Sequence, residues 1–129
     1  MKRSLSKGKN SLNREKLLEK EKLEVLRVDL GKDEFVYVKQ MNGREREAFE
    51  KTIVSVSDDG KKVDQTLDDF RAKLAVRTVC DENGVLLLKP DDYETLSCNM
   101  SAARLTAIAD AAGELNKISE QDKEDLVKN

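Results

Sequence analysis

From Leu23 the order of apolar and polar positions changes period. Leu23, Val25 and Arg27 alternate with Glu24, Leu26 and Val28, and beyond Gly31-Lys32-Asp33 comes the run Phe35-Val36-Tyr37-Val38. Two β-rich runs joined by a short Gly/Asp turn predict a hairpin. A hairpin alone is marginal in water, so this one must pack on the helices that follow.

Helical spacing then takes over. Asn42-Gly43-Arg44-Glu45 reads as a helix start, Asn42 as cap and Glu45 reaching back to it. Phe49, Ile53 and Val56 fall on one stripe, ending near Ser57-Asp58-Asp59-Gly60, and the polar stretch to about Gln65 is expected to be a loop. Thr66 is placed to cap a second helix with Asp68 and Asp69 in its first turn. Its stripe is Leu67, Phe70 and Leu74, widened by Ala75, Val76 and Val79, and Asp81-Glu82-Asn83-Gly84 closes it in a tight turn. Residues 85–88 form a short extended apolar run. Pro90 suits the first position of a helical turn to about Ser97. Ser101 caps a clearer helix, Met100 and Leu105 stapling the cap, with Leu105, Ile108, Ala109, Ala112 and Leu115 on its apolar face. Ser119 is placed to cap a last helix over residues 120–128. The expected fold is α+β and mostly helical: an N-terminal β-hairpin packed on a small bundle of four or five helices.

Composition adds a division of the chain. Residues 1–22 carry eight Lys/Arg against three Glu, a local +5, so the remainder sums to −7 within a net −2. Residues 1–21 read as a flexible basic arm, with a short, solvated helix possible over 14–22, and residues 22–129 as one domain. With 39% charged residues, 4% aromatics and no Trp, little apolar area is available for a rigid core. Cys80 and Cys98 stand far apart and read as reduced thiols. No apolar stretch follows the basic N-terminus as a signal peptide requires, and none is long enough to span a membrane.

Candidate chemistry is sparse. The chain has no His, which removes Ser-His-Asp, Cys-His and HExxH arrangements, and its six glycines form no phosphate loop. Placing Gly60 or Gly84 at the sixth position of a calcium loop leaves Thr66 or Pro90 where a Glu is needed. The pairs Asp58/Asp59, Asp68/Asp69 and Asp91/Asp92 stand at helix starts and turns, where Asp caps. Cys80 reads as a small core residue with acid beside it, which does not activate a thiol. The basic arm lacks aromatics for base stacking and the body has no basic recognition helix, which argues against nucleic acid. The expectation is a protein that is not an enzyme and needs no cofactor or metal.

Two stretches carry a resemblance. They are residues 35–50, from Phe35-Val36-Tyr37-Val38 through Asn42-Gly43-Arg44-Glu45-Arg46-Glu47 to Phe49-Glu50, and Leu74-Ala75-Val76-Arg77-Thr78-Val79-Cys80-Asp81-Glu82-Asn83-Gly84. Followed by the apolar run, the start at Asp91-Asp92-Tyr93-Glu94-Thr95-Leu96 and the long helix ending in Leu115-Asn116, their order resembles the tail assembly chaperones of long-tailed phages and prophages over residues 22–129. The resemblance implies a cytoplasmic interaction protein of the bacterial host cell. Such a protein binds the tape measure and tail tube proteins during tail morphogenesis, is absent from the mature virion, and in many relatives is extended by a frameshift. Self-association is a further possibility. Phe49, Ile53, Phe70 and Leu74 are candidates for a groove that takes an amphipathic client helix, or else they fill the core. The competing readings are a nucleic-acid-associated regulator working through its arm, and a structural head–tail joining protein.

Overall fold

The computed structural model describes residues 9–56, 63–65 and 69–118, with side chains over 9–53 and 69–118. The fold is α+β and mostly helical. The expected hairpin is present: β1 (Val25–Gly31) pairs antiparallel with β2 (Glu34–Lys39). Its turn places Gly31, Lys32 and Asp33 at positive φ. Two of these are not glycine, and Asp is among the residues that tolerate the left-handed region best. A register irregularity between Asp29 and Gly31 bends the end of β1.

Before the sheet lies α1 (Arg14–Leu18), capped by Asn13, which accepts the Lys16 N–H at 3.0 Å. It buries nothing: Leu17 and Leu18 face solvent.

After β2, α2 (Gly43–Lys51) opens with the reciprocal cap expected from its sequence. Asn42 Oδ1 accepts the Glu45 N–H, and Glu45 Oε1 accepts the Asn42 N–H, each at 2.9 Å. The helix is shorter than its apolar spacing predicts, because residues 54–56 leave it and form β3 (Val54–Val56), paired with β4 (Val63–Gln65). The β-branched run Thr52-Ile53-Val54 favours extended backbone, and a hairpin partner decides the matter. The end of the loop expected up to Gln65, residues 63–65, is therefore a strand.

The third helix, α3 (Phe70–Thr78), also begins later than expected. Thr66 lies outside the described residues. Asp69 stands at the cap position but with φ 57°, and its carboxylate accepts the Ser97 hydroxyl at 2.7 Å instead of a helix N–H. Capping thus fails as its role. Val79 and Cys80, expected to extend this helix, form β5 (Val79–Cys80), which adds to β2 through Tyr37–Cys80 and Val38–Val79 to give the order β1-β2-β5. A 3₁₀ turn (Pro90–Asp92) leads into α4 (Tyr93–Asn99), and α5 (Ala102–Leu115) follows with Ser101 as cap. The last helix expected from Ser119 onward lies outside the described residues.

α3 is the centre of the packing. It lies against α5, α4 and the sheet, while α5 covers β1 and β2. Its small residues Ala72 and Ala75 let neighbours approach closely, and Leu74, Val38, Phe49 and Ile108 meet around it in one buried cluster. Phe49 and Phe70 touch edge to face, with ring centres 5.5 Å apart. Two polar links fix the end of β2 to the helices. Asn116, buried at the end of α5, accepts the Met41 N–H at 2.7 Å and donates to the Lys39 and Ala112 carbonyls. Arg46 donates to the Asn116 carbonyl at 2.9 Å. Lys39 is buried too, its ammonium bonded to Glu45.

A candidate partner-binding cleft

The four residues read from the sequence as groove or core are core. Phe49 and Ile53 are 0% and 1% exposed, Leu74 is equally buried, and Phe70 packs beside them. No partner reaches them without unfolding the domain, so the groove assignment is corrected. Burial requires it: these are the largest apolar side chains on stripes that face each other across α2 and α3, and a chain this poor in aromatics has few others to build a core from.

The accessible apolar surface lies elsewhere, where the run at residues 85–88 meets the junction of α4 and α5. The turn before this run is held by Asp81, whose Oδ1 accepts the N–H groups of Asn83 and Val85 at 2.8 and 3.0 Å. Gly84 completes it at φ 82°, a conformation a side chain disfavours. The chain then runs back along β5: Asp81 N–H donates to the Val85 carbonyl and Leu87 N–H to the Val79 carbonyl, at 2.9 and 3.1 Å. Val85 and Leu87 stay 61% and 59% exposed. Leu88 turns inward and, with Leu96 and Met100, floors a cleft of about 690 Å³. That volume lies within the range of about 300–1,000 Å³ typical of binding sites.

The cleft wall is cationic on one side. Arg104 from α5 donates to the Leu30 and Gly31 carbonyls at 3.1 and 3.3 Å and pairs with Glu34, so it fastens the hairpin turn to α5. Lys32, at the tip of that turn, lines the cleft with no ion pair among the described residues. Asp92, which also lines the cleft, accepts the Lys89 N–H at 2.7 Å within its own turn. The site thus offers an apolar floor, a neutral polar rim at Thr95, Asn99 and Ser101, the Asp92 carboxylate and, among the described residues, a Lys32 ammonium without an ion pair.

The chain matches no family model, no curated protein and no solved structure. Its function is read from its own residues.

A second, larger cleft is polar and of different character. It is lined by Lys20, Lys22, Glu24, Lys39, Glu82 and Asn83 among others. Here the end of the basic stretch lies against the acidic turn of the body. Neither cysteine belongs to either cleft. Cys80 is buried, and burial, with the Asp81 charge adding to it and Lys39 only partly opposing, pushes its thiol pKa up. Cys98 is exposed. Among the described residues no three carboxylates or thiols gather as metal ligands do, and no helix is long and apolar enough to cross a membrane.

Sequence reasoning missed the cleft because its members carry no common signal. Lys32 looked like a turn residue, Met100 a staple, and Leu96 part of a short acidic helix. Only the tertiary fold brings residues 32, 88, 96, 100 and 104 together.

Proposed function

We propose that this chain is a non-catalytic tail assembly chaperone of a long-tailed phage or prophage, acting in the host cytoplasm. It binds apolar segments of the tape measure protein and the tail tube protein until they assemble, and it does not stay in the virion. The observation that carries the reading is the cleft floored by Leu88, Leu96 and Met100. An apolar trough of this kind takes an amphipathic segment, shielding side chains that would otherwise aggregate. The sequence resemblance over residues 22–129 supplies the identity of the clients. With no Trp and few aromatics to act as anchors, each contact is weak, and retention depends on several made together.

The test is co-expression with tail tube and tape measure proteins of the source phage or prophage, followed by capture on the tagged chain. Capture of either client by the wild type is expected, with loss in Met100→Glu at an unchanged circular dichroism spectrum. Capture that ignores Met100→Glu contradicts the cleft. Salt-sensitive DNA retardation that disappears when residues 1–21 are removed, with no client captured, contradicts the chaperone reading itself.

A further inference from the structure

The sheet gains a fourth strand position at residues 85–87, whose outer edge pairs with none of the described residues. Residues 85–87 lie antiparallel beside β5, with Leu86 opposite Cys80. The two backbone bonds to β5 flank Leu86, from Asp81 to Val85 and from Leu87 to Val79. In an antiparallel ladder the residue between two such bonds aims its own N–H and C=O away from that neighbour. Cys80 obeys the same rule from the other side, pairing with Tyr37. Leu86 therefore presents one donor and one acceptor outward, and neither has a partner among the described residues. From Gly84 to Leu88 there is no charge, and Val85, Leu86 and Leu87 are all exposed.

The opposite edge of the same sheet is protected. β1 exposes Arg27 and Asp29, paired at 3.1 Å, and carries the irregularity that bends its end. Charges and bulges are the usual guards against edge-to-edge association. The edge at residues 85–87 has neither.

We propose that this edge pairs antiparallel with the same edge of a second copy of the chain, with Leu86 on the two-fold axis. A residue on such an axis needs only what Leu86 has: its N–H donates to its mate's C=O and its C=O accepts in return. The flanking charges suit this direction. Acid precedes the run at Asp81 and Glu82 and Lys89 follows it, so antiparallel copies bring Lys89 toward the acidic turn of the mate, whereas parallel copies would set like charges together. Pairing covers Val85 and Leu87 and joins two sheets into one, while the cleft beside it stays open. The inference concerns an edge, and it stands or falls independently of what the cleft binds.

Sedimentation velocity on the full chain, from low micromolar to several hundred micromolar, tests it. The wild type is expected to reach twice the 14.6 kDa chain mass, and Leu86→Lys to stay at that single mass with the wild-type circular dichroism spectrum. Leu86→Cys in a Cys80→Ala, Cys98→Ser background, which removes the thiol opposite position 86, reads the register even if the lysine variant does not fold. Hydrogen-bonded mates stand about 5.5 Å apart between Cα atoms, within the reach of a disulfide, so mild oxidation is expected to give a covalent dimer. A wild type that remains monomeric throughout overturns the proposal. So does a dimer that survives Leu86→Lys or fails to cross-link at position 86, and so does a Leu86 amide protected only when a client is captured.

Discussion

Two apolar sets in this chain look alike on paper and meet opposite fates. Phe49, Ile53, Phe70 and Leu74 are completely or almost completely buried, whereas Val85, Leu86 and Leu87 stand in solvent. The first set lies on α2, α3 and just past the end of α2, and packs into one cluster with residues of the sheet and α5. The second sits on a strand at the edge of a sheet, where alternation sends side chains to both faces and no layer of the described residues covers the outer one. Buried apolar groups hold the fold. Exposed ones are free to hold something else, and the difference comes from the layer that covers them, not from hydrophobicity.

That contrast breaks most visibly in the core. Phe49→Ala removes a ring in edge-to-face contact with Phe70 and is expected to cost about 3–5 kcal/mol, read from chemical denaturation. In so small a domain this is most of the stability. Asn116→Ala comes next. It strands the Met41 N–H and the Lys39 carbonyl, and the same titration is expected to show a loss of about 1–3 kcal/mol.

Glu45→Gln has a smaller, pH-dependent effect. Burial raises the Glu45 carboxyl, but the Lys39 hydrogen bond, the Asn42 N–H and the charges of Lys39 and Arg77 outweigh it, so its pKa lies below the ordinary value. A carboxylate depressed in the folded state stabilises above its unfolded pKa and loses that contribution as pH falls through the folded one. The variant is expected to be about 1–2 kcal/mol less stable at neutral pH, with the gap closing in acid below the usual carboxylate range. A gap that widens in acid would refute the sign. Leu87→Ala, at the other pole of the comparison, is expected to move stability by no more than about 0.5 kcal/mol at concentrations where the chain is monomeric.

Local signals were legible in the sequence and tertiary ones were not. The hairpin turn at Gly31-Lys32-Asp33, the reciprocal Asn42/Glu45 cap, the Asp81–Gly84 turn and the Ser101 cap depend on neighbours within four residues, and all four form as expected. Where a distant partner decides, spacing misleads. Val54–Val56 continues a helical stripe but pairs with Val63–Gln65, and Val79–Cys80 continues another but pairs with β2. Asp69 looks like a cap until Ser97, 28 positions on, takes its carboxylate. The cleft was invisible for the same reason, since its floor comes from Leu88, Leu96 and Met100 and its cation from a turn far earlier in the chain.

Hydrogen exchange on the chain alone and with its captured client tests the central claim, that the cleft floored by Leu88, Leu96 and Met100 and not the buried core meets the partner. Slowed exchange on capture is expected around the cleft, at residues 30–34 and 95–104, with amides of α3 already protected and unchanged. Protection confined to residues 9–24, or new exposure of α3 as the client enters the core, would contradict it.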